Sequence, residues 1–192
     1  MVRVITQPDF FTGEHDLIHA LFESGLMELL VRKPDAKKSD LKDWISKIDS
    51  QYYNRLVLYE GLLSGEIDFR GIHHNSLSKI INGCRYYSRS CHSIEEVIHY
   101  ADKYDLLVLS PVFSSISKSN YAPKKQWDLS ELGDEIKDKL MALGGISENK
   151  LRQLPDLGFR HIALLGAIWQ SSNPIESFKR IKEKWEKLDQ SY

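Results

Sequence analysis

The chain has 192 residues, 42% of them apolar and 28% charged, which suffices for a single sizeable core and gives no reason to expect a disordered or low-complexity protein. Its 26 basic and 27 acidic residues leave a net charge of −1, so nothing points to nucleic acid as the main partner. Cys84 and Cys91 form no Cys-x-x-Cys pair and no histidine cluster offers a zinc pattern. Free thiols in a reducing, cytoplasmic setting are therefore expected. The first ten residues are too polar for a signal h-region, and no apolar run approaches a membrane span.

Short apolar runs alternate with segments of helical period. "VRVIT" (2–6) reads as a strand, followed by the amphipathic "EHDLIHALFESG", which Gly25 stops. "LMELLVRK" (26–33) is the next strand, and "SDLKDWISKID" (39–49) a helix with Ser39 as N-cap and Leu41, Trp44, Ile45 and Ile48 on one face. "RLVLY" (55–59) and "FRGIHH" (69–74) are strands three and four, each followed by a short helix, over 60–68 and 76–83. "CRYYSRS" (84–90) is a fifth strand. In the helix after it, "HSIEEVIHYADKY", Ser93 and Glu96 fit a capping box.

"DLLVLS" (105–110) is the clearest strand, and a serine-rich stretch, "SPVFSSISKSNY", follows it. "LSELGDEIKDK" is helical, "LMALGGI" (140–146) is strand seven, and "SENKLRQLPDLG" is a helix that Ser147 could cap. "HIALLG" (161–166) is the last strand and "PIESFKRIKEKWEKL" (174–188) the last helix. Strict alternation of this kind predicts parallel strands with helices outside. Eight units of about 24 residues predict a (β/α)8 TIM barrel in one domain over 1–192, with a doubly wound open sheet as the alternative.

A barrel places function in the loops after the strands. That rim gathers Arg32 and Lys33, Tyr59 and Glu60, His73 and His74, Ser88, Ser90 and His92, Ser110 to Lys118, Gly144 and Gly145, and Gly166. The glycines after strands seven and eight suit backbone N–H groups facing a phosphate, although a strand-to-helix turn calls for glycine in any case. Arg32 and Lys118 are candidates for a second anion, against the plainer reading of solvated surface charges. Glu60 is a candidate metal carboxylate, against a cap or salt-bridge partner. In a strand His73 and His74 oppose each other, so one of them faces inward.

"SCHSIEEV", "LSPVFSSISK", "ALGGI" and "IALLGAI" occur in that order, and together they resemble the thiamine phosphate synthase family, which includes thiazole tautomerases. The similarity runs from about residue 26 onward and is strongest over 88–169. It implies the same barrel fold and a transferase that joins a pyrimidine diphosphate to a thiazole phosphate, with Mg²⁺ as cofactor. Small phosphorylated substrates are the implied partners, with no membrane or nucleic acid involved and homo-oligomerisation left open. The resemblance implies Ser90, Arg32, Lys33 and Lys118 as pyrimidine-diphosphate contacts, with Arg32 and Lys118 catalytic. It implies Ser115, Ser117, Gly145, Leu165 and Gly166 as thiazole-phosphate contacts.

The chain also departs from the family pattern. Where the family has its magnesium Asp residues, this chain has Tyr59 and Ser78, which leaves Glu60 as the candidate metal ligand. A tautomerase and a binding-only barrel are the rival readings, and the tautomerase would need a histidine where Pro111 stands.

Overall fold

A computed structural model describes residues 1–60, 68–77, 84–114 and 127–189. Eight parallel strands close into a barrel in chain order: β1 (Val2–Ile5), β2 (Glu28–Val31), β3 (Leu56–Tyr59), β4 (Gly71–His74), β5 (Tyr87–Cys91), β6 (Leu106–Leu109), β7 (Leu140–Leu143) and β8 (His161–Leu164). β8 closes on β1 through Val2 opposite Ile162 and Val4 opposite Leu164. The open-sheet alternative is thereby set aside.

Alternation along each strand separates two cores. Val2, Val4, Leu29, Val31, Leu56, Leu58, Leu107, Leu109, Ile162 and Leu164 point outward into the layer shared with the helices. Ile5, Leu30, Val57, Leu106, Val108, Met141 and Ala163 point inward and fill the lumen. Both sets are buried, which is why the strands read as continuous apolar runs.

The helices are α1 (Glu14–Glu23), α2 (Lys38–Ile45), α3 (Ile94–Tyr100), α4 (Asp134–Lys137), α5 (Gln153–Asp156), α6 (Gly166–Trp169) and α7 (Pro174–Asp189). α1 ends as expected: Gly25 takes φ 89, and the Leu26 N–H reaches back to the Leu21 carbonyl. At α3 the Ser93 hydroxyl accepts from the Glu96 N–H, while the Glu96 carboxylate accepts from the N–H of His92.

Two caps differ from expectation. Ser39 lies inside α2, bonded to Asp40, with Lys37 at the cap; Ser147 precedes a 3-10 turn (Glu148–Lys150) without a side-chain cap. The single helix expected over 147–158 is broken, because Pro155 has no N–H for the carbonyl four residues back. The helices expected over 60–68 and 76–83 fall largely outside the described residues.

Candidate functional site

The lumen has an apolar side and a polar side. The polar side begins deep in the barrel, where Arg3 of β1 pairs with Glu28 of β2 and donates to the Tyr86 hydroxyl at 3.0 Å and to Ser88 Oγ at 3.3 Å. Arg70 closes on the same carboxylate at 2.6 Å. From Ser88 the polar wall continues upward. The His73 ring lies between two hydroxyls, with Nδ1 2.9 Å from Ser88 Oγ and Nε2 2.9 Å from Ser90 Oγ. β4 and β5 hold this row because His73 is the register partner of Ser88, and Ser88 and Ser90 share one face of β5. Burial holds His73 neutral, well below the usual histidine range, and the positive charges of Arg3 and Arg32 act in the same direction.

At the top of the wall, Tyr59 of β3 stacks on His73 with ring centroids 5.9 Å apart, and the Arg32 guanidinium lies 5.2 Å from the Tyr59 ring centroid. The Arg32 backbone is fixed to β1 by bonds on both sides of the Thr6 hydroxyl, Arg32 N–H donating to Oγ1 at 2.9 Å and Oγ1 donating to the Arg32 carbonyl at 3.2 Å. Arg32 is half-buried, and among the described residues no carboxylate pairs with it. The result is a guanidinium held against an aromatic face and linked through Tyr59 and His73 to the half-buried Ser90 hydroxyl.

Across the mouth, the loops after β6 and β7 are stitched together. Val112 donates to the Leu143 carbonyl at 2.9 Å and Phe113 to Gly144 at 3.0 Å. Gly145 has φ 61, and a Cβ there would lie 2.4 Å from the Ser114 carbonyl oxygen, so glycine is required twice over. No backbone acceptor among the described residues meets the Gly145 N–H. After β8, the Leu165 side chain packs against the luminal core and Gly166 opens the single turn of α6.

Lys33 is a correction. Its ammonium lies outside the barrel wall, 2.7 and 2.8 Å from the two Glu14 oxygens, and near the rings of Phe10 and Trp44. Both side chains of the pair are completely buried, and burial raises the Glu14 carboxyl pKa and lowers that of the Lys33 ammonium. The alternation of β2 continues past its end, Val31 and Lys33 lying on the outer face and Arg32 on the other, so the tandem basic residues part to opposite sides. Lys33 therefore holds α1 and α2 to the barrel. Ser115, Ser117 and Lys118 lie outside the described residues, as does Ser78.

Tyr59, His73 and Ser88 also line the polar wall. Period-two alternation through β3, β4 and β5 already places all three inside. Among the described residues no group of three His, Cys, Asp or Glu side chains gathers. Glu60, in the left-handed region at φ 60, accepts from the Asn75 N–H at 3.4 Å, and its neighbour Tyr59 carries a guanidinium. Mg²⁺ is commonly held by one or two carboxylates together with substrate phosphates and water, so Glu60 stays the candidate ligand.

Both thiols are free, and burial pushes Cys91 up to about 12. Among the described residues no helix is long and apolar enough to cross a membrane.

A thiamine monophosphate synthase family model matches residues 71–168. A thiamine-phosphate synthase of Syntrophomonas wolfei subsp. wolfei is 31% identical over 84 residues, 43% of this chain and 40% of that protein, so the match spans less than half of that relative. The crystal structure of thiamine phosphate pyrophosphorylase from Bacteroides thetaiotaomicron is 32% identical, with a TM-score of 0.78 over 96% of this chain and 97% of that one. Thiamine phosphate pyrophosphorylase from Pyrococcus furiosus, 16% identical, has the same fold, with a TM-score of 0.75 over 97% of this chain and 96% of that one.

Proposed function

The chain belongs to the thiamine monophosphate synthase family, and from that premise we propose that it joins a hydroxymethylpyrimidine diphosphate to a thiazole phosphate, giving thiamine phosphate and diphosphate. The observation that carries this reading is the row of Arg32 on Tyr59, Tyr59 on His73 and His73 bonded to Ser90, which puts a cation and a hydroxyl on one polar wall of the barrel.

In the reaction, the bond between the pyrimidine methylene and the diphosphate oxygen breaks, and its electron pair leaves with the diphosphate. The methylene carbon then bonds to the thiazole ring nitrogen. Charge accumulates on the leaving oxygen in the transition state, where Arg32 and Ser90 stabilise it without reorganising. Lys118 adds a second cation in this scheme. The N–H groups of Gly145 and Gly166 and the Leu165 backbone receive the thiazole phosphate in this scheme, and Ser115 and Ser117 are assigned to it by the resemblance.

A binding-only barrel is the second reading. The observation favouring it is Tyr59, an aromatic residue where the resemblance places a metal-binding Asp.

Steady-state kinetics of Arg32→Ala test the assignment. A contact made mainly in the transition state should reduce kcat by about 10- to 100-fold, more than it raises KM. Arg32→Lys should also lose rate, since a point charge does not replace a planar fork on an aromatic ring. Wild-type kcat in Arg32→Ala would remove Arg32 from the reaction.

A further inference from the structure

We infer that His73 is a positioning residue whose tautomer, set from below by Arg3 and Ser88, makes the Ser90 hydroxyl a hydrogen-bond donor toward the mouth of the barrel.

Arg3 can only donate, so Ser88 Oγ accepts from its guanidinium at 3.3 Å. Ser88 is completely buried, and His73 Nδ1 is the only acceptor among the described residues within reach of its own proton. If Ser88 gives that proton to Nδ1, every polar atom in the row is satisfied. The ring nitrogen left to carry hydrogen is Nε2, and it donates to Ser90 Oγ at 2.9 Å. Ser90 already accepts there, so its own proton points to the half-exposed side, where an acceptor from a ligand would sit.

The opposite tautomer fails at Ser88. With hydrogen on Nδ1, Ser88 Oγ would accept twice, and its buried hydroxyl proton would have no partner, an arrangement that costs about 1–3 kcal/mol. It would also turn the Ser90 proton inward to Nε2 and present only lone pairs to the mouth. An imidazolium has the same fault at Ser88, and the buried ring beside Arg3 and Arg32 disfavours that charge.

The row Arg3, Ser88, His73, Ser90 therefore relays the direction of one buried cation to a hydroxyl at the rim. On the same polar wall as Arg32, that hydroxyl offers its proton to an anionic acceptor. This rests on the proposed diphosphate site, and adds how its hydroxyl is oriented.

The test uses ¹⁵N-histidine-labelled full-length protein, with the His73 signals assigned by their loss in His73→Gln. The relay requires Nε2 protonated and Nδ1 bare in the wild type. It also requires a change of that pattern in Ser88→Ala and its retention in Ser88→Thr, which keeps the hydroxyl. In titrations with inorganic diphosphate, Ser88→Ala and Ser90→Ala should each weaken binding about tenfold, and the double variant no more than either alone.

A wild-type Nδ1–H tautomer overturns the proposal. So does Ser88→Ala binding diphosphate as tightly as wild type while Ser90→Ala does not. If wild type binds no diphosphate, the proposed function fails, and the tautomer pattern still decides the relay. If Ser88→Ala does not fold, the wild-type tautomer and its retention in Ser88→Thr still decide the relay.

Discussion

At the scale of single residues, the two rim glycines carry different burdens. Gly145 combines a left-handed backbone with a Cβ position 2.4 Å from one carbonyl oxygen and 2.8 Å from another. Gly166 has neither problem: a Cβ there would meet only the end of the Gln170 side chain, at 3.3 Å. Gly145→Ala should therefore melt earlier, with the left-handed conformation alone costing about 1–2 kcal/mol, and should lose thiazole-phosphate affinity as the loop after β6 is pushed away. Gly166→Ala should melt close to wild type. Thermal melts of the two variants side by side make the comparison, and equal melting temperatures would contradict it. Sequence alone marked both positions for the same reason, a glycine after a late strand. Only the backbone angle and the approach of the neighbouring loop separate them.

Among the elements, β2 shows what a tandem pair of charges becomes when a strand sends neighbours to opposite sides. Arg32 reaches the mouth, while Lys33 locks α1 and α2 to the barrel through Glu14, whose carboxylate also accepts from Trp44 Nε1 at 3.1 Å. Removing one partner of a buried pair leaves an uncompensated charge and costs about 3–5 kcal/mol, whereas replacing both with apolar side chains is often neutral. Lys33→Ala should thus lose about that much in denaturant unfolding, and Lys33→Met with Glu14→Leu should recover most of it. An unaltered Lys33→Ala midpoint, with weakened diphosphate binding, would return Lys33 to the mouth. Strand existence and order were legible because each run is apolar on both faces. The helix at 147–158 was misjudged because periodicity outweighed Pro155, and the partner of Lys33 was hidden because Glu14 is distant in sequence and adjacent only in the fold.

For the whole molecule, the polar wall through the lumen links the site to stability against acid. His73 and His74 both titrate below the ordinary value of 6.5 when folded, chiefly through burial. Below about pH 6.5 the unfolded chain therefore binds more protons than the folded one. The stability these neutral rings contribute is complete above that pH and falls as the pH drops toward their folded values. The slope is up to about 1.4 kcal/mol per pH unit for each ring. Urea midpoints between pH 7.5 and 5 should decline, less steeply in His73→Gln; equal slopes would contradict a neutral His73.

The barrel itself was readable from eight alternating units. The luminal wall was less so, since its members come from five strands and only closure of the sheet sets them side by side. The direct measurement of the proposed chemistry is to incubate the purified chain with hydroxymethylpyrimidine diphosphate and thiazole phosphate and to quantify both products by mass spectrometry. The expected result is thiamine phosphate and diphosphate in equal amounts, with neither formed when one substrate is omitted. Thiazole phosphate that binds but is never converted would contradict the synthase and leave a binding-only barrel.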